Sequence, residues 1–181
     1  MSRQAGLACA RRACGTPGDV TVMSVLVAMS RETFVAFAAE ANEAYAQDHV
    51  IAGNWSAGEA LAKAKAQLDQ LLPQGFDTPD HSFYEVHDSS GTTVGAVWFG
   101  VVGVGEAKAG YVYNIRIRPD QQRKGHGRAA LLALEALAAQ MGLSALRLHV
   151  FGHNPGAEAL YRSLGYEVTS STMRKSLSPG A

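Results

Sequence analysis

The passage Gln122-Arg123-Lys124-Gly125-His126-Gly127 constrains this chain more than any other. It is preceded by Tyr111-Val112-Tyr113-Asn114-Ile115-Arg116-Ile117, a β-branched and aromatic run that reads as a buried strand. Arg118-Pro119-Asp120 breaks that strand. After the turn comes an alanine- and leucine-rich helix, with Leu131, Leu134, Ala138 and Met141 on one face and Gly142 closing it. Glycines at alternate positions let the backbone curl so that successive N–H groups converge. The helix start adds its own unsatisfied donors and the positive end of its dipole. Arg123, Lys124 and Arg128 bring mobile charge to the rim, and a pyrophosphate is the natural guest. The plain alternative is an ordinary strand-to-helix turn with solvated basic residues. A second strand over residues 146–151 then runs through Gly152-His153-Asn154-Pro155 into a short helix ending at Leu164-Gly165-Tyr166.

The segments before this passage read as the wall of an acceptor pocket. A first strand is expected over residues 20–29, and Ser30 then caps a helix carrying Phe34, Phe37, Ala38, Ala41 and Tyr45 at helical spacing, ending near Gly53. Ser56-Ala57-Gly58-Glu59 is a capping box for a second helix, with Leu61, Ala64, Leu68 and Leu71 on one stripe and Pro73 as its stop. Trp55, just before that cap, reads as a hydrophobic staple in preference to a substrate contact. Two strands follow, over 82–87 and 93–104, joined by the hairpin turn Asp88-Ser89-Ser90-Gly91. Gly103-Val104-Gly105 is followed by no helix and fails the context test for a dinucleotide fingerprint.

Bulk properties narrow the function classes. The 181 residues suffice for one domain with a sizeable core, and 47% hydrophobic against 18% charged residues marks a globular chain. A formal net charge of zero gives no support to a nucleic-acid or membrane-surface binder, both of which lean on a basic excess. The apolar run over residues 94–105 is too short and glycine-rich to span a bilayer. Cys9 and Cys14 would close too small a loop to staple a fold, so a reducing cytosol is the expected compartment. His81 with His87, and His149 with His153, lack helical ligand spacing, and no metal is expected. Residues 1–22 read as a disordered tail and 23–178 as the domain.

With those residues in view, the chain resembles the GNAT superfamily of acetyl-coenzyme-A-dependent N-acetyltransferases. The family's phosphate motif, Gln/Arg-x-x-Gly-x-Gly/Ala at a helix start, is matched by Gln122 through Gly127. Its second motif is matched in register by Asn154, Ala157, Leu160-Tyr161 and Gly165-Tyr166. Gly53-Asn54-Trp55-Ser56 is similar to a subgroup of small bacterial GNAT proteins of unassigned substrate. The resemblance implies an α/β (α+β) fold: a mixed, mostly antiparallel sheet splayed between two neighbouring strands, with helices on both faces. It implies acetyl-CoA as co-substrate, with Gln122, Arg123, Lys124, Gly125, His126, Gly127 and Arg128 around the diphosphate. Backbone groups of Ile115, Arg116 and Ile117 would hold the pantetheine arm, and Asn154, also an excellent N-cap before Pro155, would hold coenzyme A. The family often dimerises, so a homodimer is one expectation.

Acetyl transfer to an amine needs the amine deprotonated, the carbonyl oxygen stabilised and the departing thiolate protonated. By the resemblance Tyr161 is the general acid, although it also falls on a helical stripe with Ala157, Leu160 and Leu164 and could be plain core. The strand position that often carries an acid holds Asn114, which cannot act as a base. Protein N-terminal acetyltransferases of the superfamily use a histidine in a Leu-His-Val strand with a tyrosine opening the preceding strand. His149 and Tyr111 fall on those positions, and histidine as a type titrates near neutrality. A strand histidine is as often a hydrogen-bonded core residue, and Glu85 is the other candidate base. The expected activity is acetyl transfer to a primary amine, on a small molecule or a peptide or protein α-amine, by direct attack in a ternary complex. Asn114 in place of an acid leaves an alternative: a catalytically silent acyl-CoA-binding sensor.

Overall fold

Alternation of apolar and small residues along three strands builds the framework from which the site is hung. The computed structural model describes residues 25–103, 105 and 108–175. The expected tail over residues 1–22, with Cys9 and Cys14, lies outside the described residues. The elements run β1 (Val25–Ala28), α1 (Arg31–Ile51), α2 (Ala57–Leu71), β2 (His81–His87), β3 (Thr93–Val102), β4 (Ala109–Ile117), α3 (His126–Gln140), β5 (Leu146–Leu148) and α4 (Pro155–Ser163). One five-stranded sheet has the order β1-β2-β3-β4-β5. Its first four strands pair antiparallel and β5 joins β4 in parallel, the mixed and mostly antiparallel sheet that was expected.

Because strand side chains alternate between faces, the sheet has two cores. On one face Val86, Val97 and Phe99 pack with Ala130 and Leu134 of α3. On the other, Phe83 and Trp98 pack with Phe34 of α1 and Leu72 just beyond α2, Phe37 and Leu68 adding to the cluster. Helices therefore cover both faces, with α1 and α2 on the second. There α1 and α2 approach through Ala46, Ala60 and Ala64, small residues that bring the two backbones close.

Both N-terminal helices start as their sequences dictate. Ser30 Oγ accepts from the Thr33 N–H at 3.1 Å. At α2 the Ser56 N–H donates to Glu59 Oε1 at 3.2 Å, completing the capping box. Trp55 packs on the small-residue cluster at Ala60, as a staple should. The expected α2 stripe is shifted, however. Leu61 and Leu71 are exposed, while Ala60, Ala64 and Leu68 face inward.

Candidate functional site

Strand β4 is nine residues long, but β5 pairs with it only over Gly110↔Leu146, Tyr111↔Arg147 and Val112↔Leu148. Beyond that point the strands part. Among the described residues the β5-facing edge of residues 113–117 has no strand neighbour, which leaves backbone donors and acceptors facing a gap. A β-bulge sits where the gap opens: Trp98 pairs with Asn114 and Phe99 with Val112, so Tyr113 is an extra residue on β4. The divergence also shortens β5. The strand expected over 146–151 stops at Leu148 because the following residues have no ladder partner, and His149 stands exposed just past its end.

The expected phosphate turn closes the lower end of this gap. Gly125 has φ +89° and Arg123 φ +62°, left-handed conformations that turn consecutive N–H groups toward one side. Gly125 is the N-cap of α3 and no side chain caps that end, so the first N–H groups of the helix stay available to an anion. Gln122 Nε2 donates to the Ile117 carbonyl at 3.0 Å and ties the turn to the end of β4. A Cβ on Gly127 would meet Leu160 at 3.3 Å and Ile117 at 3.7 Å, so α3, α4 and β4 converge there. Arg123, Lys124 and Arg128 are exposed around the turn, with Lys124 bonded to Gln121 and Arg128 to Ser163. His126 departs from that pattern. Its side chain is buried beside Asp88 of the β2–β3 turn, so only its backbone N–H can face an anion. Arg116 likewise turns its guanidinium onto Glu40 of α1 at 3.1 Å, leaving its backbone for the gap.

Above the turn the gap widens into a cavity of about 710 Å³ between α1, α2, β4, the β5 end and α4. Tyr111, His149, Tyr161, Asn154 and Ile115 all line it, so the expected catalytic residues are brought together. Tyr161 is buried, and burial pushes its phenol above the ordinary value; Tyr111 is raised for the same reason. Both rings therefore stay protonated at neutral pH and act as donors. Asn154 accepts from the Ala157 N–H at 3.1 Å and caps α4, which aims that helix start at the cavity. Glu85 is elsewhere. It lines a separate hollow against α1 and accepts from His87 Nε2 at 2.7 Å, with Thr93 also in contact.

Helix α1 adds residues that the sequence did not single out as functional: Asn42, Tyr45, Asp48 and His49 line the same cavity. His49 stacks on Trp55 with ring centroids 3.8 Å apart, and Tyr45 and Phe151 meet it edge-on at 4.5 and 5.1 Å. Its Nδ1 lies 3.3 Å from the Asn54 side-chain nitrogen. An amide nitrogen only donates, so Nδ1 accepts and the neutral ring carries its proton on Nε2. Burial holds the His49 ring below its ordinary value, the neighbouring His149 adds to that, and Asp48 opposes it. With its lone pair engaged by Asn54, His49 acts as a donor. The signal for these residues was present: the stripe Ala41, Tyr45 continues at the same spacing to His49.

The family model described as Acetyltransferase (GNAT) family matches residues 35–166. YycN of Bacillus subtilis, called an uncharacterized N-acetyltransferase, is 31% identical over 158 residues, covering 87% of this chain and 100% of YycN. The crystal structure of YycN superposes with a TM-score of 0.82, 30% identity and coverage of 86% of this chain and 99% of that one. YdgE of the same organism, also called an uncharacterized N-acetyltransferase, is 30% identical over 149 residues, or 82% of this chain and 95% of YdgE.

Proposed function

Because the chain belongs to the GNAT family of acetyltransferases, we propose that it transfers the acetyl group of acetyl-CoA to a primary amine by direct attack in a ternary complex. The observation that carries this reading is the early end of β4–β5 pairing at Val112 and Leu148, directly above an uncapped helix start. A pantetheine arm needs a polar slot of extended backbone, and a diphosphate needs converging N–H groups. The free edge of residues 113–117 suits the arm, and the turn at Gln122, Arg123, Lys124, Gly125, His126 and Gly127, with Arg128 beside it, suits the diphosphate. Among the described residues no group of three or more His, Cys, Asp or Glu side chains could hold a metal ion. No helix among them is long and apolar enough to cross a membrane.

In this reading the amine nitrogen forms a bond to the acetyl carbon while the carbon–sulfur bond breaks. The proton lost from nitrogen passes to His149, directly or through a water. Tyr161 donates to the departing sulfur, which leaves as the coenzyme A thiol. Tyr111, kept protonated by burial, orients groups at the cavity floor. Backbone N–H groups of Ile115, Arg116 and Ile117 polarise the acetyl oxygen as it gains charge. Glu85 is not used, since it lines a separate hollow and is already engaged by His87.

Thiol release from acetyl-CoA in the presence of an amine panel tests the reading. Turnover with wild type, and a kcat about 100-fold lower in His149→Ala with acetyl-CoA affinity unchanged, are expected. Cofactor binding without turnover on any amine would instead support the silent acyl-CoA sensor that Asn114 leaves open. An unchanged kcat in that variant would remove His149 from the mechanism.

A further inference from the structure

Resting on the transferase reading above, we propose that the acceptor is a singly charged primary amine on an apolar or aromatic body, and that Asn42 and Asn114 hold its nitrogen. Asn42 on α1 and Asn114 on β4 line the same cavity, and the Oδ1 of each is shielded from solvent with no hydrogen-bond partner among the described residues. Native proteins rarely leave a buried acceptor unpaired, and each exception calls for an explanation. A carboxamide turns about its last bond at little cost, so each oxygen can swing onto a donor arriving in the cavity. A primary amine brings two N–H donors when neutral and three when protonated, whereas a hydroxyl or thiol brings one. Two oxygens on facing elements therefore match an amine. With both satisfied, the nitrogen's lone pair is left to face the thioester once a proton has gone.

The rest of the acceptor wall sets what the nitrogen is attached to. Tyr45, Leu68 and Leu71 from the helices face Trp98 from β3, an apolar and aromatic lining. Among the described residues lining the cavity Asp48 is the only carboxylate, and its Oδ1 is already 2.8 Å from His153 Nε2. A second ammonium on the acceptor would lose its water with only Asp48, already shared with His153, to receive it. Polyamines are disfavoured by that second charge and aminosugars by hydroxyls that an apolar wall leaves unpaired, so the wall suits a body such as a phenyl or alkyl group.

The test compares 2-phenylethylamine, spermidine, an aminosugar and an alanyl dipeptide as acceptors with the full chain and acetyl-CoA. The expected result is a kcat/KM for 2-phenylethylamine at least about tenfold above the other three, the scale of one charged or polar group left unpaired. Asn42→Leu and Asn114→Leu should each raise the amine KM about tenfold while the acetyl-CoA KM holds, one charge-assisted hydrogen bond being lost. Serine replaces leucine at either site if the leucine protein does not fold. Asn42→Asp should shift preference toward spermidine. Equal or better turnover of spermidine, the aminosugar or the dipeptide overturns the proposal, as does an unchanged amine KM in both asparagine variants. Acetyl-CoA binding with none of the four amines acetylated sinks the acceptor proposal and leaves the cofactor site standing. Failure to bind acetyl-CoA at all sinks the transferase reading with it.

Discussion

Gly125 and Gly127 look alike in sequence and do different work. Gly125 sits at φ +89°, where a Cβ costs about 1–2 kcal/mol and tilts the backbone that aims the N–H groups. Gly127 lies inside α3, and a Cβ there would press only on a flexible Leu160 methyl at 3.3 Å. Calorimetry with acetyl-CoA should therefore show Gly125→Ala binding about tenfold or more weakly, with Gly127→Ala close to wild type; equal affinities in the two would contradict the proposed turn. Tyr161→Phe removes one oxygen from a buried ring and should lower kcat about 100-fold, the scale of general acid catalysis, with acetyl-CoA affinity unchanged. A fall in stability alone would return Tyr161 to the core. The glycine turn was legible because its spacing has one cheap backbone solution. His49 was not, because Tyr45 and Ala41 on its stripe read as core, and only the fold shows the stripe running out of the core into the cavity.

The capping box at Ser56 holds α2 at the angle that makes the acceptor wall. Ser56→Ala should cost about 1 kcal/mol in urea denaturation, with little effect on acetyl-CoA affinity, since α2 lies away from the phosphate turn. The box could be read from four residues because its bonds are local. Strand β5 could not. Leu146 to Phe151 has strand composition throughout, yet ladder pairing ends at Leu148, since the partner strand diverges there. The bulge at Tyr113 was equally hidden, because an extra residue in one strand shows only against the register of the other. The α2 stripe slipped for a related reason. Contact between α1 and α2 selected the small residues Ala60 and Ala64, leaving Leu61 facing water.

Two histidines tie the stability of the domain to pH. His81 Nδ1 accepts from Trp98 Nε1–H at 2.9 Å, and burial, opposed by Asp80, holds the His81 ring below its ordinary value. His49 is depressed as well, by burial and then by His149. The folded protein therefore binds fewer protons than the unfolded chain just below the ordinary imidazole value. Stability is flat above about pH 6.5 and falls as the pH drops below it, until the lower folded values are passed. The melting temperature should decline between about pH 7 and about pH 5, less steeply in His81→Phe from whatever starting point that variant has. Identical slopes in the two proteins would rule His81 out. The order of elements and the mixed sheet were legible before any coordinates, because both motifs and the hairpin are local signals. The cavity wall was legible only as a region before the glycine turn; its individual residues were not, because they come from α1, α2 and β4 and meet only across the sheet.

The account rests on a coenzyme seated between parted strands and an uncapped helix, and amide hydrogen exchange reads that seat directly. On adding acetyl-CoA, the backbone amides of residues 113–117 and of 123–128 should slow together, with the β1–β2 pair unchanged. Binding of acetyl-CoA with no added protection in either segment would contradict it.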